Sequence, residues 1–195
     1  MPSLDGAGLD LLFRGARTHR DWRPGAVDAA TLKAVYELAR MPPTSANSQP
    51  MRIAFVVSAE AKERLKPCLD KGNVEQTMQA PATAIVAYDR QFHAFMPKLR
   101  PGSRAGQRFA GDPEGAEAVA RLSGTLQGGY FILAARALGL DVGPMGGFDA
   151  AKVEQAFFPD GRWRALFLCN LGRGDPAALG PRAPRLDFEE ACTVL

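Results

Sequence analysis

MPPTSANSQPMRIAFVVS, residues 41–58, joins a polar connection directly to a mostly apolar run. Pro42 and Pro43 forbid helix continuation, and Thr44, Ser45, Asn47, Ser48 and Gln49 crowd short polar side chains into the link. Arg52 to Ser58, RIAFVVS, has the length and composition of a strand. The polar link reads either as a turn that only reverses the chain or as a rigid edge displaying donors and acceptors.

Upstream, Asp28 offers an N-cap to a helix over Ala29 to Arg40, with Leu32, Val35, Tyr36 and Ala39 on one face. Before it, Leu9 to Phe13 forms an apolar patch expected to begin in a helix. Arg14, Arg17, Thr18 and Arg20 follow within seven residues. That cluster is a solvated basic turn or a phosphate cradle, because guanidinium groups make bidentate charge-assisted bonds to phosphate oxygens.

Downstream, Ala59 to Lys66 reads as a charged helix broken by Pro67, with Leu65 and Leu69 inward, and Gly72-Asn73 is expected to end that excursion. Thr83 to Asp89 and Trp163 to Leu171 are two further buried strands. Apolar runs of this length, separated by helices, indicate sheet covered on both faces in α/β or α+β layering. Lys98 to Gly115, KLRPGSRAGQRFAGDPEG, is rich in glycine, proline and arginine; it is expected to contribute no core and to form a loop or lid at about 98–115. Its Lys98, Arg100, Arg104 and Arg108 are a solvated face or a contact for an anionic substrate.

The longest periodic segment, Glu114 to Leu138, carries Val119, Leu122, Leu126, Phe131 or Ile132, Leu133 and Ala137 on an apolar stripe that broadens toward its end, so it is expected to be buried. Gly128-Gly129 within it suggests close approach of another backbone, with a second copy of the chain as one source. Leu140 to Asp149 is a glycine-rich turn feeding a helix capped by Asp149, with Val153, Ala156 and Phe157 on its apolar face. Its glycines serve a tight connection or let main-chain amides approach a flat ligand. The proline-punctuated tail from Gly172 either docks or stays disordered.

Length and composition, 195 residues with 46% hydrophobic and 23% charged, are those of one globular domain. A formal charge of +3 argues against nucleic acid and suits a phosphate-bearing small ligand. Three cysteines without CxxC spacing favour reduced thiols in a cytoplasmic protein, and two separated histidines argue against a metal centre. No window approaches the roughly 18 apolar residues of a membrane span. There is no GxGxxG after a strand, no Walker A loop and no GxSxG elbow, so the usual dinucleotide, nucleotide and hydrolase signatures are missing. What remains is three clusters, Arg17 to Arg20, Asn47 to Gln49 and Gly143 to Gly147, suited to a ligand with a phosphate at one end and a planar polar ring at the other.

ARTHRDW (16–22), PTSANSQPMRIAFV (43–56), GNVEQTMQAPATAIVAYD (72–89), ALGLDVGPMGGFD (137–149) and PRAPRLDFEEA (181–191) occur in the order and spacing seen in the nitroreductase family of FMN-dependent oxidoreductases. More narrowly they resemble its malonic semialdehyde reductase branch, of pyrimidine catabolism. The resemblance implies an α+β fold: a three-layer α/β/α sandwich with a mostly antiparallel sheet, in an intertwined homodimer. It implies that Arg17 and Thr18 grip the phosphate and ribityl chain of FMN, that Arg20 faces the pyrimidine edge, that Asn73 lies near the ring, that Pro144, Met145, Gly146 and Gly147 run along it, and that Arg182 reaches the phosphate. Pro43, Thr44, Ser45 and Asn47 would lie against the flavin of the other subunit. Two residues depart from the family: Gln76 stands where lysine is common, and Gly146 where many members have glutamate.

The resemblance further implies ping-pong hydride transfer, in which NADH or NADPH reduces FMN and the reduced flavin then reduces a small aldehyde. With Gln76 neutral, Arg20 becomes the stabiliser of the reduced flavin. Arg100, Arg104 and Arg108 are the pool of cations for the substrate carboxylate. A broad nitroreductase or quinone reductase and a flavin-binding sensor without turnover are the alternatives.

Overall fold

A computed structural model describes residues 3–195. In chain order the helices are α1 (Gly6–Leu9), α2 (Ala29–Ala39), α3 (Ala59–Leu65), α4 (Lys71–Gln79), α5 (Met96–Leu99), α6 (Ala105–Gly111), α7 (Pro113–Ala137), α8 (Ala150–Phe157) and α9 (Phe188–Ala191). The strands are β1 (Met51–Val56), β2 (Ala82–Asp89), β3 (Asp141–Met145) and β4 (Trp163–Gly172), in the spatial order β1-β2-β4-β3 with every pair antiparallel.

Central position explains β2: all eight of its residues are buried, because helices cover both faces of the sheet. Ala82, Ala84 and Val86 join Leu32, Val35 and Ala39 of α2 and Phe131, Ala134 and Ala135 of α7 on one face. Ile85 and Ala87 join Leu65 of α3, Val153 of α8, Met145 and Leu168 on the other. Alternation along one strand thus feeds two cores and gives the three-layer α/β/α sandwich. Asp28 and Asp149 cap α2 and α8 by accepting from Thr31 N and Lys152 N.

Several expectations are corrected. Gly72-Asn73 does not end a helical excursion but lies in the first turn of α4, a polar helix whose Gln76 and Thr77 are buried against polar partners, so it lacks an apolar signature. The glycine-rich turn contains β3, whose Gly143 and Pro144 disguise strand pairing. Residues 98–115 are largely helical rather than a coreless lid. Phe109 packs edge-on against Phe92 at 5.0 Å and, with Tyr88, Met96, Ala116 and Ala120, forms a third core cluster.

Helix α7 is present as expected, but its stripe is divided: Phe131 is buried, whereas Leu122 and Leu126 face outward. The buried face carries Gln127 and Phe131 among mostly small residues, including Ala116, Ala120, Ser123, Gly124 and Gly128, while Leu122 and Leu126 are 74% and 45% exposed. A Cβ on Gly128 would lie 2.6 Å from the Phe167 ring, so this glycine admits a side chain of β4 rather than a backbone. Gly129 faces outward with nothing within 4 Å.

Candidate functional site

Site geometry begins at the free edge of β3. Thr18 bridges Val142 in parallel, His19 N–H donates to Val142 O at 3.0 Å, and Trp22 bridges Gly174, so the ARTHRDW motif is held beside the sheet edge by isolated bridges. Gly143 makes this possible, since a Cβ there would sit 2.5 Å from His19 O and 3.2 Å from the Trp22 ring. Alternation turns His19 inward, where it is buried with Nε2 3.4 Å from Asp141 Oδ1, and leaves Thr18 and Arg20 exposed.

Beside this segment, α4 is set on the sheet by a buried polar chain. Thr83 Oγ1 donates to Asn170 Oδ1 (2.7 Å), Asn170 Nδ2 to Thr77 Oγ1 (3.3 Å), and Thr77 Oγ1 reaches Met145 Sδ (3.6 Å). Lys62 Nζ donates to the carbonyls of Thr77, Met78 and Ala80 at the end of α4, and burial pushes its pKa down. So oriented, α4 presents Gln76 Nε2 to Asn73 Oδ1 (2.5 Å) and Asn73 Nδ2 to Gly147 O (2.7 Å); Asp70 N–H donates to the same carbonyl at 3.1 Å. Trp22 Nε1 closes the group by donating to Gln76 O at 2.9 Å. A side chain at Gly147 would collide with Asn73, whereas the Cβ direction at Gly146 is open.

Between residues 12–20 and residues 181–185 lies a cavity of about 690 Å³ whose lining includes Arg14, Arg17, Thr18, Arg20, Arg136, Arg182 and Arg185. Arg17 Nη2 donates to Gly180 O, and Arg182 Nη2 donates to Arg14 O and Ala16 O, each at 2.7 Å, tying the tail across the N-terminal segment. Among the described residues, Arg17, Arg20, Arg136, Arg182 and Arg185 form no ion pair. Sequence reasoning missed Arg136 and Arg185. Arg185 lies inside the PRAPRLDFEEA motif, while Arg136 sits on α7 with no local signal.

Pro43, Thr44, Ser45 and Asn47 are not brought to this cavity. They precede β1, at the opposite edge of the sheet from β3, and at the end of it that β3 does not reach: Met51 pairs with Tyr88 and Tyr88 with Arg164, whereas β3 pairs only with residues 168–172. Ser45 to Asn47 form a single 3₁₀ turn, and Ala46, Asn47 and Gln49 have φ of 54°, 56° and 42°. Left-handed alanine and glutamine are costly and persist only where neighbours over-determine them. Here Ser45 N–H donates to Ser123 Oγ (3.3 Å), Gln49 N–H to Thr44 Oγ1 (3.2 Å), Met51 N–H to buried Gln127 Oε1 (3.0 Å) and Asn47 Nδ2 to Leu99 O (2.8 Å). That last bond docks the turn on α5, so Arg100, Arg104 and Arg108 belong to this end too; all three are exposed, and Arg108 lies 5.0 Å over the Phe109 ring. The predicted set is thus divided between two remote places in one chain.

Residues 13–173 match the profile of the Nitroreductase family. The chain belongs to the nitroreductase family. A relative from Ralstonia nicotianae, named "Putative NADH dehydrogenase/NAD(P)H nitroreductase", is 55% identical over 100% of both chains. One of the same name from Leptothrix cholodnii is 51% identical over 99% of this chain and 98% of that one. Among solved nitroreductase folds, a "putative nitroreductase in complex with FMN" from Exiguobacterium sibiricum superposes with a TM-score of 0.87 at 22% identity, over 100% and 99% of the two chains. Likeness at that identity concerns the fold. Among the described residues no helix is long and apolar enough to cross a membrane, and no group of three or more His, Cys, Asp or Glu could hold a metal.

Proposed function

We propose that this nitroreductase-family chain is an FMN-dependent NAD(P)H oxidoreductase acting as a cytoplasmic homodimer. The observation that carries the reading is the basic cavity, lined by five arginines without ion pairs, together with the Asn73–Gly147 contact, which is joined to the ARTHRDW segment because Trp22 donates to Gln76 O and Gln76 to Asn73. That donor set fits a phosphate attached to a flat, hydrogen-bonding ring. Arg17, Thr18 and Arg182, with Arg185, would hold the phosphate and ribityl chain. Asn73 and the backbone of Pro144 to Gly147 would face the ring, with Arg20 at its pyrimidine edge.

Bound FMN supplies hydride uptake from NADH or NADPH and hydride release to an acceptor. Since Gln76 is neutral and already donates to Asn73, Arg20 provides the positive charge that favours the reduced form. Pro43, Thr44, Ser45 and Asn47 would complete the site of the other subunit. The outward stripe of Leu122, Leu126 and Tyr130 on α7 and the wholly exposed tail at 181–195 supply apolar surface for such a dimer.

For the acceptor we infer a small oxo-acid, malonic semialdehyde, reduced to 3-hydroxypropanoate, its carboxylate held by Arg100, Arg104 and Arg108. The names of the curated relatives favour a second reading, a broad NAD(P)H nitroreductase or quinone reductase. A visible spectrum of the purified dimer, reduction by each nicotinamide and reoxidation by each acceptor tests both. Faster reoxidation by the aldehyde supports the first, and by nitroaromatics or quinones the second. Colourless protein that gains no FMN on reconstitution overturns both.

A further inference from the structure

Beneath the strained turn lies a charge cluster that this chemistry does not use. Asp89 ends β2 with its side chain fully buried; its oxygens accept from Arg52 Nη2 (2.8 Å), Arg162 Nε (2.8 Å), Arg162 Nη2 (2.7 Å) and Gln91 N–H (2.8 Å). Arg52 Nη1 also donates to Gln49 O (3.0 Å) and Met51 O (2.8 Å), while Asp89 N–H donates to Pro50 O (2.9 Å). The carbonyls of Gln49 and Met51 are therefore held by Arg52, which the buried carboxylate orients, and that of Pro50 by the Asp89 backbone amide. Both guanidinium groups also lie over the Phe95 ring, at 5.0 and 5.6 Å, which links the cluster to the segment leading into α5.

Left-handed Gln49 shares its carbonyl with this clamp and its amide with Thr44. The clamp acts beside the Ser123, Leu99 and Thr44 hydrogen bonds and fixes the Gln49 end of a turn whose conformation alanine and glutamine disfavour. We propose that Arg52, oriented by Asp89, is a positioning residue for the flavin site of the other subunit: it holds Pro43 to Asn47 in the one shape that can close that site. This rests on the reading that the turn completes the other subunit's FMN site. Arg52 touches neither flavin nor substrate in this scheme, and it acts through the Gln49 carbonyl.

A hybrid dimer of differently tagged subunits, one carrying Arg52→Gln and the other Arg17→Ala with Arg182→Ala, tests it. The intact cradle of the Arg52→Gln subunit meets the intact turn of its companion, so the hybrid is expected to bind one FMN with wild-type affinity. The Arg52→Gln homodimer is expected to bind both FMN about tenfold more weakly. A fold-wide defect would damage the variant's own cradle, and the hybrid site would be weakened equally; that result, or wild-type affinity in the Arg52→Gln homodimer, overturns the proposal. Asp89→Asn run through the same hybrid gives an independent arm with the same two outcomes. A wild-type protein that is monomeric or takes up no FMN instead overturns the underlying reading.

Discussion

The two ends of the sheet are built on opposite principles. At the β3 edge, arginines crowd an open cavity, the tail crosses it on a few surface hydrogen bonds, and Gly146 leaves space unfilled. At the start of β1, the strained turn is tied to α7, to α5 and to a buried carboxylate, and what it shows outward is Pro43, Ser45 and Asn47. A basic cavity gains most from an anionic ligand, while a stiff, internally satisfied turn loses little entropy when it is pressed against one. On the proposed reading the first end receives the flavin and the second is presented to the other subunit.

Removing Asp89 should break the stiff end most severely. Asp89→Ala leaves Arg52 and Arg162 without their shared partner and is expected to cost about 3–5 kcal/mol in thermal or urea unfolding. The pH dependence carries a sign. Burial alone would raise the Asp89 pKa, but hydrogen bonds from Arg162 and the Gln91 amide and the charges of Arg52 and Arg162 outweigh it, holding the carboxyl below 3.8. A lowered folded value means that this stabilisation is complete above about pH 4 and is lost as pH falls through the folded value. Acid unfolding of Asp89→Ala should therefore lack that component of the wild-type slope.

Gly143→Val attacks the receiving end at its foundation. Its side chain meets His19 O and Trp22, so the 17–22 segment must leave β3; a loss of about 3 kcal/mol and of FMN binding is expected, read by unfolding and flavin titration. Arg17→Ala with Arg182→Ala separates binding from folding. FMN affinity should fall about 100-fold, while stability changes by less than about 1 kcal/mol, because both side chains act at the surface. The smallest effect belongs to the exposed arginines beside the turn. Arg100→Ala, Arg104→Ala and Arg108→Ala together should raise KM for malonic semialdehyde about tenfold with kcat nearly unchanged, and an unchanged KM removes them from the substrate site.

Much of the proposed site is readable as residue types in the chain, because motifs such as ARTHRDW and GPMGG state them directly. Arg136 and Arg185 were less so: a guanidinium on a long helix or in a tail joins a cradle only by packing. Helix α4 escaped because its buried face is polar, with Gln76 and Thr77 satisfied by Asn73 of the same helix and by Trp22 and Asn170 from distant segments. The segment at 98–115 was misjudged because a single aromatic, Phe109, anchors it.

The sequence alone determined the strands β1, β2 and β4, the long helix, the caps of α2 and α8, and the presence of a basic cluster and a glycine-rich edge, since these depend on local periodicity and residue chemistry. Only the tertiary structure decided that α7 turns Leu122 and Leu126 outward, that Thr18 and His19 pair with Val142 of β3, and that the turn at 43–47 lies far from the cradle within its own chain. Those outcomes follow from antiparallel register and from which of two apolar faces a single chain has material to cover, and no window of sequence contains either.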